Sequence, residues 1–170
     1  MIFNSQSGLL DNTRAADWDA WYLEHLRIMA TVPGISSAQR FKTGTPGFSP
    51  SLAIYSVASA DVFKDPYYLS VRGMGEWKAL IDTRYYKRNL FAGLDHAPVV
   101  AADACMLVAD RERAEYAIAG IGFTWLECVG IDRSTPYRGL AVVAATSLPE
   151  LPASVAVYRP ASPRMTAPRR

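Results

Sequence analysis

The side chains best suited to chemistry lie in one short stretch, WDAWYLEHLRIM at residues 18–29. A helix turns about 100° per residue, so the aromatic and apolar residues of this stretch share one face, with His25 near its middle. Tyr22 precedes His25 by three residues, a spacing at which both side chains can reach one ligand. Because an imidazole titrates near neutral pH, the pattern predicts His25 as a general acid or base and Tyr22 as a polarising donor.

A second interpretation of the same helix face needs no ligand. Tyr22 and His25 would then be core residues with polar tips that hydrogen-bond to backbone groups. The two interpretations differ in whether a cavity adjoins His25, which the sequence leaves open.

Further candidate substrate-binding residues lie on neighbouring predicted elements. Arg40, at the end of a predicted strand, has the planar guanidinium that pairs with carboxylates, although an exposed strand-end arginine fits the position equally well. Only one of Tyr85 and Tyr86 can face a pocket, because side chains alternate along a strand. The aromatic loop at residues 67–69, together with Met74 and Trp77, is interpreted as a lid over an apolar ligand or as ordinary packing. The other candidates are Trp21, Asn4, Gln6 and Tyr55.

The elements that would position these residues follow the order β-α-β-β-α-β over residues 1–95, which is the ferredoxin-like pattern. Alternation and turn residues predict strands at residues 2–9, 35–43, 52–57 and 85–91, a helix ending near residue 31, and a short helix at residues 77–82. Residues 104–160 form a predicted β-rich half with four apolar runs and at most one short helix. We expect one α+β domain over residues 1–160 and a disordered tail over residues 161–170.

Residues 18–41 resemble the dimeric α+β barrel superfamily. The segment has a predicted helix with a W-Y-x-x-H pattern at residues 21–25, then Val32-Pro33-Gly34 and a strand that ends in Arg40-Phe41. The resemblance covers about the first 95 residues. It implies a ferredoxin-like dimeric α+β barrel, a pocket between sheet and helices toward which His25 points, and a homodimer. The residues after about position 100 could instead complete a barrel within one chain.

The resemblance also implies a function, that of the cofactor-free enzymes of this superfamily. We expect an isomerase that moves a proton on a small unsaturated, carboxylated or aromatic-derived metabolite, with His25 as acid or base and Arg40 as carboxylate anchor. A lyase or cyclase of aromatic compound catabolism is an alternative, because the same enol intermediates serve these reactions. A non-catalytic ligand-binding or oligomerisation module is a second alternative, and a haem or oxygen-dependent enzyme is a third.

Composition narrows the possible partners and cofactors. A net charge of +2 is too small to indicate nucleic acid, and no run of 18 apolar residues indicates a membrane span. Cys105 and Cys128 have no metal-ligand spacing, so the sequence predicts no metal site and two free thiols in the cytoplasm. Gly73-Met74-Gly75 lacks the third glycine of a dinucleotide site, and no cofactor is expected. The predicted partner is a small-molecule substrate.

Overall fold

A closed ring of antiparallel strands forms the body of the protein in the computed structural model, which describes residues 1–168. The strands are β1 (Ile2–Ser7), β2 (Ile35–Lys42), β3 (Ser51–Val57), β4 (Lys87–Ala92), β5 (Ala104–Arg111), β6 (Thr124–Ile131), β7 (Tyr137–Ala144), β8 (Ala156–Pro160) and β9 (Met165–Thr166). Eight of them follow the order β3-β1-β4-β6-β7-β5-β8-β2 around the ring, which closes where β2 pairs with β3. The short strand β9 pairs with β2 outside this ring.

The helical segments lie on the outside of the barrel. They are α1 (Ala15–Met29), α2 (Pro66–Val71) and the 3-10 turns Asn12–Arg14, Ala60–Lys64, Gly75–Leu80 and Ala145–Ser147. None of these helices is long and apolar enough to cross a membrane. Within residues 1–168, no three His, Cys, Asp or Glu side chains come together as a metal site.

Local sequence explains where α1 begins and ends. The Asp11 side chain accepts a hydrogen bond from the Thr13 backbone N–H at 2.9 Å and so caps the 3-10 turn that leads into α1. After α1, Gly34 adopts φ +86°, a left-handed conformation that reverses the chain into β2. A Cβ at Gly34 would also lie only 2.6 Å from Val62, so the reversal needs glycine for space as well as for backbone freedom.

Side chains of the first four strands alternate between the barrel interior and α1. The residues packed inside the barrel include Ile2, Phe41, Leu52, Ile54, Phe91, Met106, Leu126 and Tyr158. In β1, β2 and β3, neighbouring side chains such as Phe3, Ala38 and Tyr55 point outward and pack with the buried residues of α1. These residues of α1 are Trp18, Tyr22, Leu26 and Met29. This stripe follows the helical period, and His25 lies on its flank, half-buried rather than at its centre.

A charged cluster is buried among the interior side chains. Arg138 donates from Nε and Nη2 to the two carboxylate oxygens of Asp110, at 2.7 and 2.8 Å. Its Nη2 also donates to the Gln6 side-chain oxygen at 2.8 Å. In the orientation that satisfies its neighbours, the Asn4 carboxamide oxygen accepts from Arg138 Nη1 at 3.1 Å. The guanidinium is therefore buried with its charge compensated and with a hydrogen bond from each of its three nitrogen atoms.

The predicted ferredoxin-like α+β fold is wrong, and so is the predicted membership of the dimeric α+β barrel superfamily. Each predicted strand of the first half coincides with an observed one to within about two residues. However, the second crossover contains only the six-residue α2 and 3-10 turns, and the eight strands form one closed antiparallel barrel. The periodicity of a strand marks its position but not its neighbours, and closure depends on the distant pairings β4–β6 and β2–β8.

The segment predicted to be a disordered tail, residues 161–170, lies partly along β2. Met165 pairs with Ala38 in the strand register, and the Arg164 side chain donates to the backbone carbonyls of Ala97 and Pro98 at 3.1 and 3.0 Å. The last two residues of the predicted tail, 169 and 170, lie outside the described residues. A single domain over residues 1–160 stays a prediction.

Replacing Asp110 by Asn should lower the free energy of unfolding by about 2 kcal/mol. The variant leaves the Arg138 guanidinium buried without its counter-charge, an effect reduced here because the Asp110 side chain is 34% exposed. Urea unfolding at pH 7 measures the loss. The matched control is Asp61→Asn, which breaks the exposed Asp61–Lys64 pair and should change stability little. Equal losses in the two variants would contradict the role given to Asp110.

Candidate functional site

A pocket of about 530 Å³ lies on the outside of the barrel wall, beneath α1 and the segments that follow β3. Its floor comes from outward-facing side chains of the first-half strands: Phe3, Ser5, Tyr55 and Arg88. One side is formed by α1, through Tyr22, His25 and Met29. The rim comes from α2 and from the chain between α2 and β4, through Tyr68, Leu69, Arg72, Gly73, Met74, Lys78, Ile81, Thr83 and Tyr86.

Strand register explains the shape of the floor. Ser5 on β1 lies directly between Ala53 on β3 and Arg88 on β4. Ser5 and Ala53 are small, and larger residues, Phe3 and Tyr55, occupy the neighbouring outward row. The small residues leave a depression in the sheet surface that the side chains of α1 do not fill, and this depression forms part of the pocket.

His25 is held in position by a stack of aromatic rings along α1. Its imidazole lies parallel to the Trp21 ring, with centroids 4.8 Å apart and planes 10° apart. Trp21 is stacked in turn on Trp18, with centroids 5.0 Å apart. Burial lowers the pKa of His25 to about 4, so the imidazole is neutral at pH 7. It therefore presents one hydrogen-bond donor and one acceptor and carries no charge.

The phenols around the pocket remain protonated at physiological pH. Burial raises the pKa of Tyr22 and of Tyr68. Burial also raises the pKa of Tyr55 well above its ordinary value, and the nearby phenols of Tyr22 and Tyr68 raise it further. The hydroxyl groups of Tyr22 and Tyr68 therefore lie near that of Tyr55, and each protonated phenol carries one O–H donor.

The charges of the pocket are all of one sign. Its lining contains the cations Arg72, Lys78 and Arg88, and in the part of the chain that the structure describes no Asp or Glu belongs to the lining. Arg72 and Lys78 are exposed at the rim, whereas Arg88 is half-buried in the floor. The pocket therefore favours a negative group on anything that enters it.

Four of the predicted site residues line this pocket: His25, Tyr22, Tyr55 and Tyr86. The predicted lid also lies there, through Tyr68, Leu69 and Met74. The structure thus brings together the His25–Tyr22 pair with two phenols from β3 and the approach to β4.

Arg40 lies close to the pocket but is not part of its lining. It is 2% exposed beneath α1, donates from Nη1 to Asp19 at 2.7 Å and from Nε to Ser51 at 2.8 Å, and its guanidinium lies 4.3 Å from the centre of the Tyr22 ring. Asp19 also binds Lys42. Arg40 therefore links α1 to β2. A residue that anchors a substrate carboxylate would have to line the pocket, and Arg40 does not.

The remaining predicted residues lie away from the pocket. Trp21 stands behind His25, and Trp77 packs against Trp18 with ring centroids 5.1 Å apart. Tyr85 lies in the turn before β4 with its ring against Gly8. Asn4 and Gln6 face the barrel interior at Arg138, because Ser5 between them faces the pocket.

Sequence reasoning missed the cations Arg72, Lys78 and Arg88. Arg88 lies in the strand predicted at residues 85–91 and Lys78 in the short helix predicted at residues 77–82, whereas Arg72 lies in a stretch without periodicity. The signal that would have found Arg88 is its alternation with Asn89 on β4 combined with the register of β4 on β1.

The fold and the site define a closed antiparallel barrel with a cationic, aromatic pocket on its outer wall. No protein-family model, curated protein or solved structure matches the chain. The isomerase, lyase and aromatic-catabolism interpretations rested on the family resemblance. These interpretations no longer have that support, because the fold differs and no matching protein was found.

The buried imidazole should make stability depend on pH between 4 and 6.5. The folded protein holds His25 at a pKa of about 4, against about 6.5 in the unfolded chain, so in this window the unfolded state binds more protons. The contribution is fully present above pH 6.5 and is lost as the pH falls to 4, by up to about 3 kcal/mol.

Urea unfolding at pH 7 and pH 4 measures this dependence. The stability lost between the two pH values should be smaller in His25→Gln than in the wild-type protein by up to about 3 kcal/mol. His96→Gln is the control, because His96 is exposed, and it should behave like the wild-type protein. An unchanged pH dependence in His25→Gln would contradict the burial of a neutral imidazole.

Proposed function

We propose that the protein binds a small apolar or aromatic molecule that carries an acidic group, in the pocket beneath α1. The observation that carries the proposal is the composition of the pocket lining. It combines three cationic residues with aromatic and apolar side chains, and among the described residues it contains no Asp or Glu. A cavity of about 530 Å³ is in the size range of small-molecule sites.

The polar groups of the pocket complement a ligand that is rich in hydrogen-bond acceptors. Phenols with raised pKa values, guanidinium groups and an ammonium group all donate hydrogen bonds. A carboxylate or a phosphate monoester supplies only acceptors when ionised, so either one complements this lining. An amine or another cation would meet like charge and few acceptors.

Binding is favoured over the proton transfer that the sequence predicts. A general base works best when its pKa lies near the working pH, but burial lowers the pKa of His25 to about 4. The pKa values of the neighbouring phenols are shifted in the other direction, away from neutrality. Proton transfer by His25 stays a prediction, and our proposal is the ligand-binding alternative.

Two further parts of the proposal concern location and assembly. We place the protein in the cytoplasm, because Cys105 and Cys128 are both free thiols, and cell fractionation tests this location. A homodimer is not part of the proposal. The eight barrel strands complete one another within a single chain, so no pairing between subunits is needed to close the barrel.

Isothermal titration calorimetry with three naphthalene probes tests the proposed ligand class. At pH 7, 2-naphthoate should bind at least about tenfold more tightly than 2-naphthalenemethanol, because a charge-assisted hydrogen bond contributes about 1.5 kcal/mol or more. The 2-naphthylmethylammonium ion should bind more weakly than the alcohol. Equal affinity for all three probes would contradict the proposal.

Two threonine substitutions test whether binding occurs in this pocket. Thr83 is exposed at the rim, so Thr83→Phe narrows the entrance without altering the core and should weaken 2-naphthoate binding about tenfold or more. The matched control is Thr124→Phe, at an exposed position on β6 that does not line the pocket. Unaltered binding by Thr83→Phe would place the probe elsewhere.

A further inference from the structure

Arg88 differs from the other two pocket cations in being fixed to the barrel wall. It lies in β4, and its backbone N–H donates to Asp132 Oδ2 at 2.8 Å. Its Nη2 lies 3.3 Å from Asp132 Oδ1, and its carbonyl accepts from the Asp132 backbone N–H at 2.9 Å. Arg72 and Lys78 lie instead on the covering segments and are exposed. The guanidinium of Arg88 is thus the pocket cation whose position is set by the strands.

The turn that carries Asp132 has an unusual backbone conformation on both sides of this residue. Ile131 and Arg133, on either side of it, adopt φ +64° and +47°, a left-handed conformation that β-branched isoleucine strongly disfavours. Asn89 holds the turn in place by donating to the Ser134 hydroxyl at 2.8 Å and accepting from the Ser134 N–H at 2.7 Å. The unusual backbone is therefore held against β4, where it presents the carboxylate of Asp132 to Arg88.

The contact with Asp132 leaves part of the Arg88 guanidinium unused. Its Nη2 is engaged with Asp132, and its Nε is buried without a hydrogen-bond partner among residues 1–168. The side chain is only half-buried and lines the cavity, so the part of the guanidinium that faces the cavity can donate to an acceptor group of a ligand. Asp132 compensates part of the Arg88 charge, and Arg88 is less exposed to screening by salt than Arg72 and Lys78.

Other donors surround the same end of the pocket. Ser5 is the direct cross-strand neighbour of Arg88, and the Arg88 guanidinium lies 5.6 Å from the centre of the Tyr86 ring. The phenol of Tyr68 lies close enough to Arg72 and Arg88 to interact electrostatically with both. Phe3 and Met29 line the same cavity, and their apolar side chains suit the apolar or aromatic part of a ligand.

We infer that Arg88 is the anchor for the acidic group of the ligand, which accepts a hydrogen bond from the part of the guanidinium that faces the cavity and lies within reach of Ser5 and the tyrosine hydroxyls. This inference rests on the proposed function, since it assigns the recognition point within the same pocket. The ligand class is a carboxylic acid or a phosphate monoester with an apolar or aromatic body. The body lies on Phe3 and Met29.

Calorimetry with arginine variants tests the anchor, using 2-naphthoate, 2-naphthyl phosphate and 2-naphthalenemethanol as probes. Arg88→Gln should weaken binding of at least one acidic probe by about tenfold or more and leave the alcohol within about twofold. Arg72→Gln should weaken the acidic probes by no more than about threefold, because exposed charges are screened. The control for loss of one positive charge is Arg159→Gln, an exposed arginine of β8, which should bind like the wild-type protein.

A lysine variant separates the guanidinium group from the charge and guards against misfolding of Arg88→Gln. Arg88→Lys keeps a positive charge in the floor but lacks the planar guanidinium and its fixed donors, so it should bind the acidic probes more weakly than the wild-type protein. Wild-type affinity in Arg88→Lys, or a larger loss in Arg72→Gln than in Arg88→Gln, would overturn the assignment while leaving the proposed function intact. A wild-type protein that does not distinguish acidic probes from the alcohol would instead overturn the proposed function itself.

Discussion

Ring closure by antiparallel strands from both halves of the chain is the constraint on which the rest of the structure depends. The pairing of β4 with β6 and of β2 with β8 joins the first four strands to the last four. Once the ring is closed, every strand of the first half has one face in an interior filled by side chains and one face outside. The outer face must then be covered, and α1 covers it with Trp18, Tyr22, Leu26 and Met29.

Closure also separates two kinds of polar chemistry that are neighbours in sequence. Asn4 and Gln6 point inward and serve the buried Arg138, whereas Ser5 points outward into the pocket. Asp110 balances the charge of the interior cluster, and each nitrogen of the Arg138 guanidinium has a hydrogen-bond partner within the barrel core. The pocket has the opposite character, because its lining carries cations and phenols and no Asp or Glu among residues 1–168.

The segments outside the barrel do not cover the whole outer surface of the first-half strands, and the uncovered part forms the pocket. The helix α1 covers part of the first-half strands, but the second crossover contributes only α2 and 3-10 turns in place of a second long helix. Small residues in the floor, such as Ser5, and the incomplete cover above them leave a cavity of about 530 Å³. The same incomplete cover brings Arg72 and Lys78 to the rim, while β4 supplies Arg88 from below.

Local sequence patterns were sufficient to predict the strand positions of the first half, the apolar face of α1 and the proximity of Tyr22 to His25, since each follows from a period of two or about 3.6 residues. The closed barrel, the contact of Arg40 with Asp19 under α1, and the position of Arg88 between the cavity and Asp132 depend on tertiary contacts. The reason is that neighbours and register are set between distant positions, and Arg88 and Asp132 lie 44 residues apart. A one-residue change of register would turn every such side chain to the other face of its strand.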